Sequence, residues 1–113
     1  MTEQNIDYPT GNADVQALAY AATQNVEIKN QMTFLDFAIL TGDTTLNLTL
    51  KQGVRDGARV LVKVPATANA DDLTLGTGID APAIVGVAGK TKTQEFVLRN
   101  KVFYPAGAIV QVD

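Results

Sequence analysis

The sequence predicts an all-β protein, a small antiparallel β-sandwich or jelly-roll-like domain of roughly eight strands. Two observations lead to this prediction. Apolar and polar residues alternate with a period of two from Val26 to the carboxyl end, which is typical of strands with one buried and one wet face. Turn-forming residues interrupt the alternation about every 8 to 12 residues. We expect residues 15–113 to form a single domain, preceded by a flexible arm over residues 1–14.

The first segment, Met1 to Asp14, is polar and rich in turn formers, which predicts an arm rather than part of a core. Its isolated apolar residues, Ile6 and Tyr8, are candidates for contact with another protein. The segment has no basic stretch followed by an apolar one, so we expect no secretory signal and synthesis in the cytoplasm. Residues 15–23 fit a helix and a strand equally well, and the β pattern that follows favours a strand.

The remaining strands are predicted from alternation and from the turns that bound them. Leu46, Leu48 and Leu50 point to one side of the clearest strand, and Leu61 departs from the alternation of its own strand. Asn100, which tolerates left-handed backbone geometry, marks a hairpin. The predicted segments are Val26–Lys29, Thr33–Leu40, Thr45–Leu50, Ala58–Val64, Asp72–Leu75, Thr93–Arg99, Val102–Tyr104 and Ala108–Val112. A Gly-rich loop region lies between Gly76 and Gly89, and its apolar residues Ile79 and Ile84 are candidate exposed interface residues.

Composition excludes several classes of function. The 113 residues include no Cys, so disulfides and thiolate metal sites are absent. They include no His, which removes the commonest general base and the Ser-His-Asp type of nucleophile. We therefore expect a non-enzymatic protein with no cofactor and no metal site. The remaining enzymatic alternative is chemistry by carboxylates alone or by Lys, which a cleft holding two acids would favour.

Charge and hydropathy constrain the partners. The net charge is -3 and the basic residues are scattered, whereas nucleic-acid binding requires a basic patch. No apolar run approaches the ~18 residues of a membrane span. Charged residues make up 19% of the chain, against about 25% in typical soluble proteins. The surface is therefore either rich in Thr and Ala or partly covered by another subunit.

One motif is similar to a phosphate-binding loop. Residues 86–91 read GVAGKT, but the full pattern requires a Gly where this chain has Ile84. It also requires a helix after the Thr, where the sequence predicts a strand. A Gly-rich turn with solvated lysines explains the segment better.

Acidic residues suggest two further sites. Asp71, Asp72 and Asp80 flank the Gly76–Gly78 loop and offer oxygen ligands for Ca²⁺, although their spacing matches no established calcium loop. Asp36 interrupts an apolar segment, as a perturbed catalytic acid would. With no second acid or His near it in sequence, a position on the wet face of a strand is the better interpretation.

Three tyrosines (Tyr8, Tyr20 and Tyr104) raise the alternative of a carbohydrate- or receptor-binding β-module, because aromatic rings stack on sugars. Scattered tyrosines without any Trp make a poor platform. A shallow groove lined by two of them would favour this alternative.

The segment from Asn30 to Asp113 resembles small structural proteins of tailed bacteriophages, of the capsid-decoration or head-fibre kind. The resemblance is carried by TFLDFAILTGDTTLNLTL at residues 33–50, the Gly57 turn before VLVKV, the LGTG loop at 75–78, GVAGKT, and the late hairpin ending in QVD. These are structural turns and strands, and the segment from Asn30 to Asp113 covers about three-quarters of the chain.

The resemblance implies a β-rich virion protein that decorates a capsid and is assembled in the host cytoplasm. It implies the major capsid protein or other virion proteins as partners, and a homo-oligomer such as a trimer. It implies no nucleic-acid or membrane partner. Ile6, Tyr8, Ile79 and Ile84 are the candidate interface residues, since extended arms and exposed apolar loops commonly join subunits.

Overall fold

A computed structural model of the protein describes residues 14–65 and 70–112. These residues form nine β-strands and no helix, which confirms the predicted all-β class. The strands are β1 (Asp14–Leu18), β2 (Thr23–Ile28), β3 (Met32–Phe37), β4 (Thr44–Leu50), β5 (Arg59–Val64), β6 (Leu73–Leu75), β7 (Thr91–Arg99), β8 (Val102–Pro105) and β9 (Val110–Val112). The predicted arm over residues 1–14 lies outside the described residues except for Asp14, which begins β1.

The strands are arranged in two sheets, and the chain alternates between them from β1 to β6. Sheet 1 has the order β9–β7–β5–β3–β1, with β8 pairing β7 on the same side as β9. Sheet 2 has the order β2–β4–β6. Sheet 2 is parallel throughout, as are β1, β3 and β5 in sheet 1, whereas β7 runs antiparallel to β5.

The expected antiparallel pairing is wrong for most of the protein, because four of the seven pairings between described strands are parallel. The physical reason lies in the connections. Parallel neighbours need a crossover of about a dozen residues, which is usually a helix. Here residues 19–31 cross over between β1 and β3, and they contain β2 of the other sheet. The alternation of successive strands between the two sheets also differs from the antiparallel Greek-key connections of a jelly roll.

The core lies between the two sheets, as the alternation predicted. Leu46 and Leu48 are buried, while Thr49 on the opposite face of β4 is exposed. The buried apolar side chains of both sheets form one cluster. It includes Val26, Ile28, Leu46, Leu48, Leu73 and Leu75 from sheet 2, and Leu35, Phe37, Val60, Val62, Val64, Phe96, Leu98 and Phe103 from sheet 1.

The last third of the described chain contains the hairpin formed by β7 and β8. Asn100 and Lys101 both have positive φ, 52° and 70°, between the paired residues Arg99 and Val102. Two central residues with positive φ define a type I′ hairpin turn, whose twist matches that of its strands. The predicted hairpin at Asn100 is therefore confirmed.

Candidate functional site

Sheet 1 exposes apolar side chains on its outer face, where a free sheet is expected to be polar. In β3, Thr33 and Leu35 are buried, so Met32 and Phe34 on the alternate positions point outward. In β5 the same alternation turns Leu61 outward. A face that should meet water thus carries large apolar groups on its central strands.

The strand register aligns these side chains into two adjacent rows. Val15 pairs with Phe34, which pairs with Leu61, so these three cross β1, β3 and β5 side by side. Directly opposed side chains on neighbouring strands lie ~4.5–5.5 Å apart at Cβ, close enough to pack. The row is therefore continuous across three strands.

The second row runs from Met32 through Arg59 and Val97 to Tyr104. Three apolar residues of the two rows remain clearly exposed: Val15 at 60%, Met32 at 41% and Tyr104 at 39%. We call the six apolar residues the apolar face, namely Val15, Met32, Phe34, Leu61, Val97 and Tyr104. Val110 and Val112 of the edge strand β9 are also exposed, opposite Thr93 and Thr91 of β7.

Four charged side chains on this face neutralise one another. Arg59 lies 3.3 Å from Glu95, and Lys63 lies 4.0 Å from Asp36, with all four side chains half-exposed. Asp36 thus occupies the wet face of its strand and pairs with a lysine. Because the two positive and two negative charges balance, the face does not repel a neutral or a weakly charged partner.

The outer face of sheet 2 is polar by contrast. Its outward positions, alternating with buried Val26, Ile28, Leu46 and Leu48, are Thr23, Asn25 and Glu27 on β2, Thr45, Asn47 and Thr49 on β4, and Thr74 on β6. Asn47 donates to Asn25 Oδ1 at 3.1 Å and accepts from the Thr77 amide at 2.8 Å, so it ties the loop to the sheet. The two outer faces therefore differ in chemistry on the same small domain.

Two of the four residues predicted as interface residues, Ile79 and Ile84, lie in the core and not on the apolar face. Ile79 and Ile84 are buried, at 6% and 1% exposure, so the expectation that they are exposed is wrong. The Gly-rich loop folds over the end of the core, where Ile84 bridges to Leu73 and Ile79 bridges to Phe103. Ile6 and Tyr8 lie outside the described residues.

The other sequence candidates have structural roles in loops. Residues 86–91 form a turn that leads into β7, with Lys92 Nζ donating to the Val85 carbonyl at 2.7 Å, and no helix follows. Asp72 Oδ1 accepts from the Gly86 amide at 2.9 Å, and Asp43 Oδ1 accepts from the Asp72 amide at 2.9 Å. Within the described part of the chain, no three His, Cys, Asp or Glu residues are grouped as metal ligands.

The two tyrosines that are described lie at opposite edges of sheet 1. Tyr20 follows β1 at one edge, and its hydroxyl donates to the Asp43 carbonyl at 3.2 Å. Tyr104 is in β8 at the other edge. Four strand spacings of ~4.8 Å separate those edges by about 19 Å, too far for both rings to line one sugar-binding groove.

A shallow depression of about 410 Å³ lies at the carboxyl ends of β1 and β3. It is lined by Ala17, Leu18, Ala19, Asp36, Phe37 and Ala38. With small apolar walls and the Asp36 carboxylate already near Lys63, it has the chemistry of a packing surface.

No protein-family model matches the chain, and no curated protein is significantly similar to it. No helix long and apolar enough to cross a membrane occurs within residues 14–65 and 70–112.

The apolar face was not predicted from the sequence. Its signal was present in Leu61, which departs from the polar-outward alternation, and in Phe34 beside Leu35.

Proposed function

We propose that the protein is a non-enzymatic structural component of a bacteriophage particle, a capsid decoration or auxiliary protein that binds the capsid through the apolar face. The fold that supports it is best described as a β-sandwich wound largely from parallel strands. The proposal joins the resemblance of residues 30–113 to phage structural proteins with the asymmetry between the two outer faces. The observation that carries it is the apolar face itself.

The composition of the apolar face supports a protein partner. Contiguous apolar patches on a soluble domain mark interaction sites. Aromatic residues, Met and Arg are enriched in the buried centres of protein interfaces, and Met32, Phe34, Tyr104 and Arg59 supply these types here. The small number of charges in the whole chain agrees with a surface that is partly covered in use.

The mechanism that follows is burial of a flat surface, repeated on a lattice. A single contact of modest area binds weakly, and many copies on one particle add their contacts through a high effective concentration. No reacting group is needed for this role.

The direct test is mass spectrometry of purified particles of the phage whose genome encodes the chain. We expect the chain in particles at a copy number comparable to that of the other structural proteins. Its absence from particles would refute the proposal.

A binding test then assigns the surface. Purified full-length chain is added to particles that lack it, and bound chain is measured after sedimentation. Phe34→Asp places a charge at the centre of the apolar face and is expected to weaken binding by about 30-fold or more, as for a truncated hot spot worth ≥2 kcal/mol. Thr49→Asp adds the same charge on the outer face of sheet 2 and is expected to bind like the wild type.

Met32→Asp is a second variant, and we expect it to keep the fold because Met32 is 41% exposed. Circular dichroism of each variant establishes that it is folded. Equal binding by Phe34→Asp, Met32→Asp and Thr49→Asp would contradict the assignment of the apolar face.

A further inference from the structure

We infer that, while the chain is not bound to a particle, the apolar face pairs with the same face of a second copy of the chain. The two-fold axis lies parallel to the strands and midway between β3 and β5, so pairing and particle binding compete for this surface. The inference rests on the proposed function, because it names a partner for the surface on which that function depends. It is argued from the register of the strands and the positions of four charges.

The register makes this arrangement self-complementary. In sheet 1, Phe34 pairs with Leu61 and Asp36 pairs with Lys63. A two-fold axis that runs between β3 and β5 and parallel to them places β3 of one copy over β5 of the other. The rotation does not shift either strand along its length, so residues that pair within one copy also face each other between the copies. Phe34 then meets Leu61 of the second copy, and Asp36 meets Lys63 of the second copy. Each contact occurs twice, as two-fold symmetry requires.

The charges select this axis over its neighbours. Two cations of the face, Arg59 and Lys63, lie on β5, and a third, Arg99, lies at the end of β7. An axis centred on β5 would place each of the two β5 cations opposite the same residue of the second copy. Like charges that face each other in an interface cost several kcal/mol. Moving the axis halfway towards β3 replaces these repulsions with two Asp36–Lys63 pairs. Met32 then faces Arg59, whose aliphatic stem covers an apolar neighbour.

Sheet-on-sheet packing allows this geometry. Two stacked sheets keep their strand directions within about 30° and lie about 10 Å apart, with side chains of the facing surfaces interdigitated. An axis parallel to the strands gives this aligned arrangement. The long side chains of Phe34 and Leu61 at the centre are of the type that fills such a layer.

The expected affinity follows from the area. Four overlapping strands are about 19 Å wide and six residues are about 20 Å long, so the flat overlap is about 380 Å² per copy. Because side chains project from both sheets, the accessible surface buried on the two copies together is larger than this flat area, on the order of 1,000 Å². This is near the lower limit for a specific interface. We therefore expect a dissociation constant in the micromolar range, roughly 1–100 µM.

Analytical ultracentrifugation of the full chain, from about 1 to about 500 µM, tests the pairing across that range. The wild type is expected to pass from monomer to dimer. Lys63→Asp removes both symmetry-related pairs and sets acids opposite each other, which should raise the dissociation constant at least ~10-fold. The exchange Asp36→Lys with Lys63→Asp restores both pairs and should return the constant to within about 3-fold of the wild type.

Two variants complete the experiment. Phe34→Asp is expected to remain monomeric throughout the range, and Thr49→Asp on the outer face of sheet 2 is expected to dimerise like the wild type. Circular dichroism and urea unfolding check each fold, since losing an exposed ion pair costs only ~0–1 kcal/mol of stability. A wild-type monomer at every concentration, a trimer, or an exchange variant as weak as Lys63→Asp would overturn the inference.

The outcomes separate this inference from the proposed function. A monomeric wild type that binds particles through Phe34 would overturn the dimer and leave the particle role standing. A dimer with the predicted response to the charge exchange, from a chain absent from particles, would refute the particle role and leave the dimer standing.

Discussion

Gly78 closes the Gly-rich loop onto both sheets, and a single methyl group there should be costly. Its φ is +85°, and a Cβ at this position would overlap the Leu48 carbonyl oxygen of β4. The loop is held at this point on both sides. The Leu48 amide donates to the Thr77 carbonyl, and the Phe103 amide donates to the Gly78 carbonyl, both at 2.8 Å.

Gly78→Ala therefore adds two costs. Left-handed backbone costs a non-glycine residue ~1–2 kcal/mol. Forcing the backbone away from β4 costs a further ~1–3 kcal/mol, as overpacking does elsewhere. We expect a loss of about 3 kcal/mol in the free energy of unfolding. Gly89→Ala is the matched control, because Gly89 has a φ of +78° with open space where its Cβ would lie.

Urea unfolding followed by circular dichroism measures the free energy of unfolding of both variants. The comparison requires that the m value, the slope of this free energy against urea concentration, is unchanged. Gly89→Ala is expected to lose only about 0.5–1.5 kcal/mol, since backbone strain is partly offset by the lower entropy of the unfolded chain. The difference of about 2 kcal/mol measures the contact between the loop and β4. Equal losses in the two variants would refute the close packing of this loop on sheet 2.

Two substitutions should stabilise the protein, each measured by the same unfolding assay. Thr33 is buried at 0% exposure, and its hydroxyl has no hydrogen-bond partner among the described residues. Thr33→Val should therefore raise the free energy of unfolding by ~1–2 kcal/mol. A lower free energy of unfolding would indicate that the hydroxyl is hydrogen-bonded. Lys101 has a φ of 70° in the type I′ turn, where Gly is preferred, so Lys101→Gly should add about 0.5–1 kcal/mol; a decrease would argue against that turn.

The local pattern of the sequence was sufficient to predict the strands and their buried faces. Leu46 and Leu48 were assigned to the same side of their strand from alternation alone, and both are buried. The Asn100 turn was found because its side chain is one of the few that tolerate positive φ. These features depend on residues close together in the chain.

Strand direction was not predictable in this way, because alternation is the same in parallel and antiparallel strands. The connections at 19–22 and 29–31 are as short as those of hairpins, but each carries the chain to the opposite sheet. Ile79 and Ile84 were misassigned for a related reason. A Gly-rich segment predicts an exposed loop, whereas here the bridges to Phe103 and Leu73 bury it.

The apolar face depends on the same long-range register. Val15, Phe34 and Leu61 are far apart in sequence, and each alone is an ordinary exception to alternation. Only parallel stacking of β1, β3 and β5 places them in one row. A partner surface built from single residues of successive strands therefore has no compact motif that a sequence could display.

Hydroxyl-radical footprinting of the isolated chain and of the particle-bound chain tests most directly whether the apolar face is a protein contact. Met32 and Tyr104 report on this face, and Met32 shares its residue type only with Met1. Tyr20, exposed to 36% after β1, reports on a surface outside the face. We expect Met32 and Tyr104 to be oxidised in the isolated chain, diluted until it is monomeric, and protected on the particle, with Tyr20 unchanged. Unaltered oxidation of Met32 and Tyr104 on the particle would contradict the assignment.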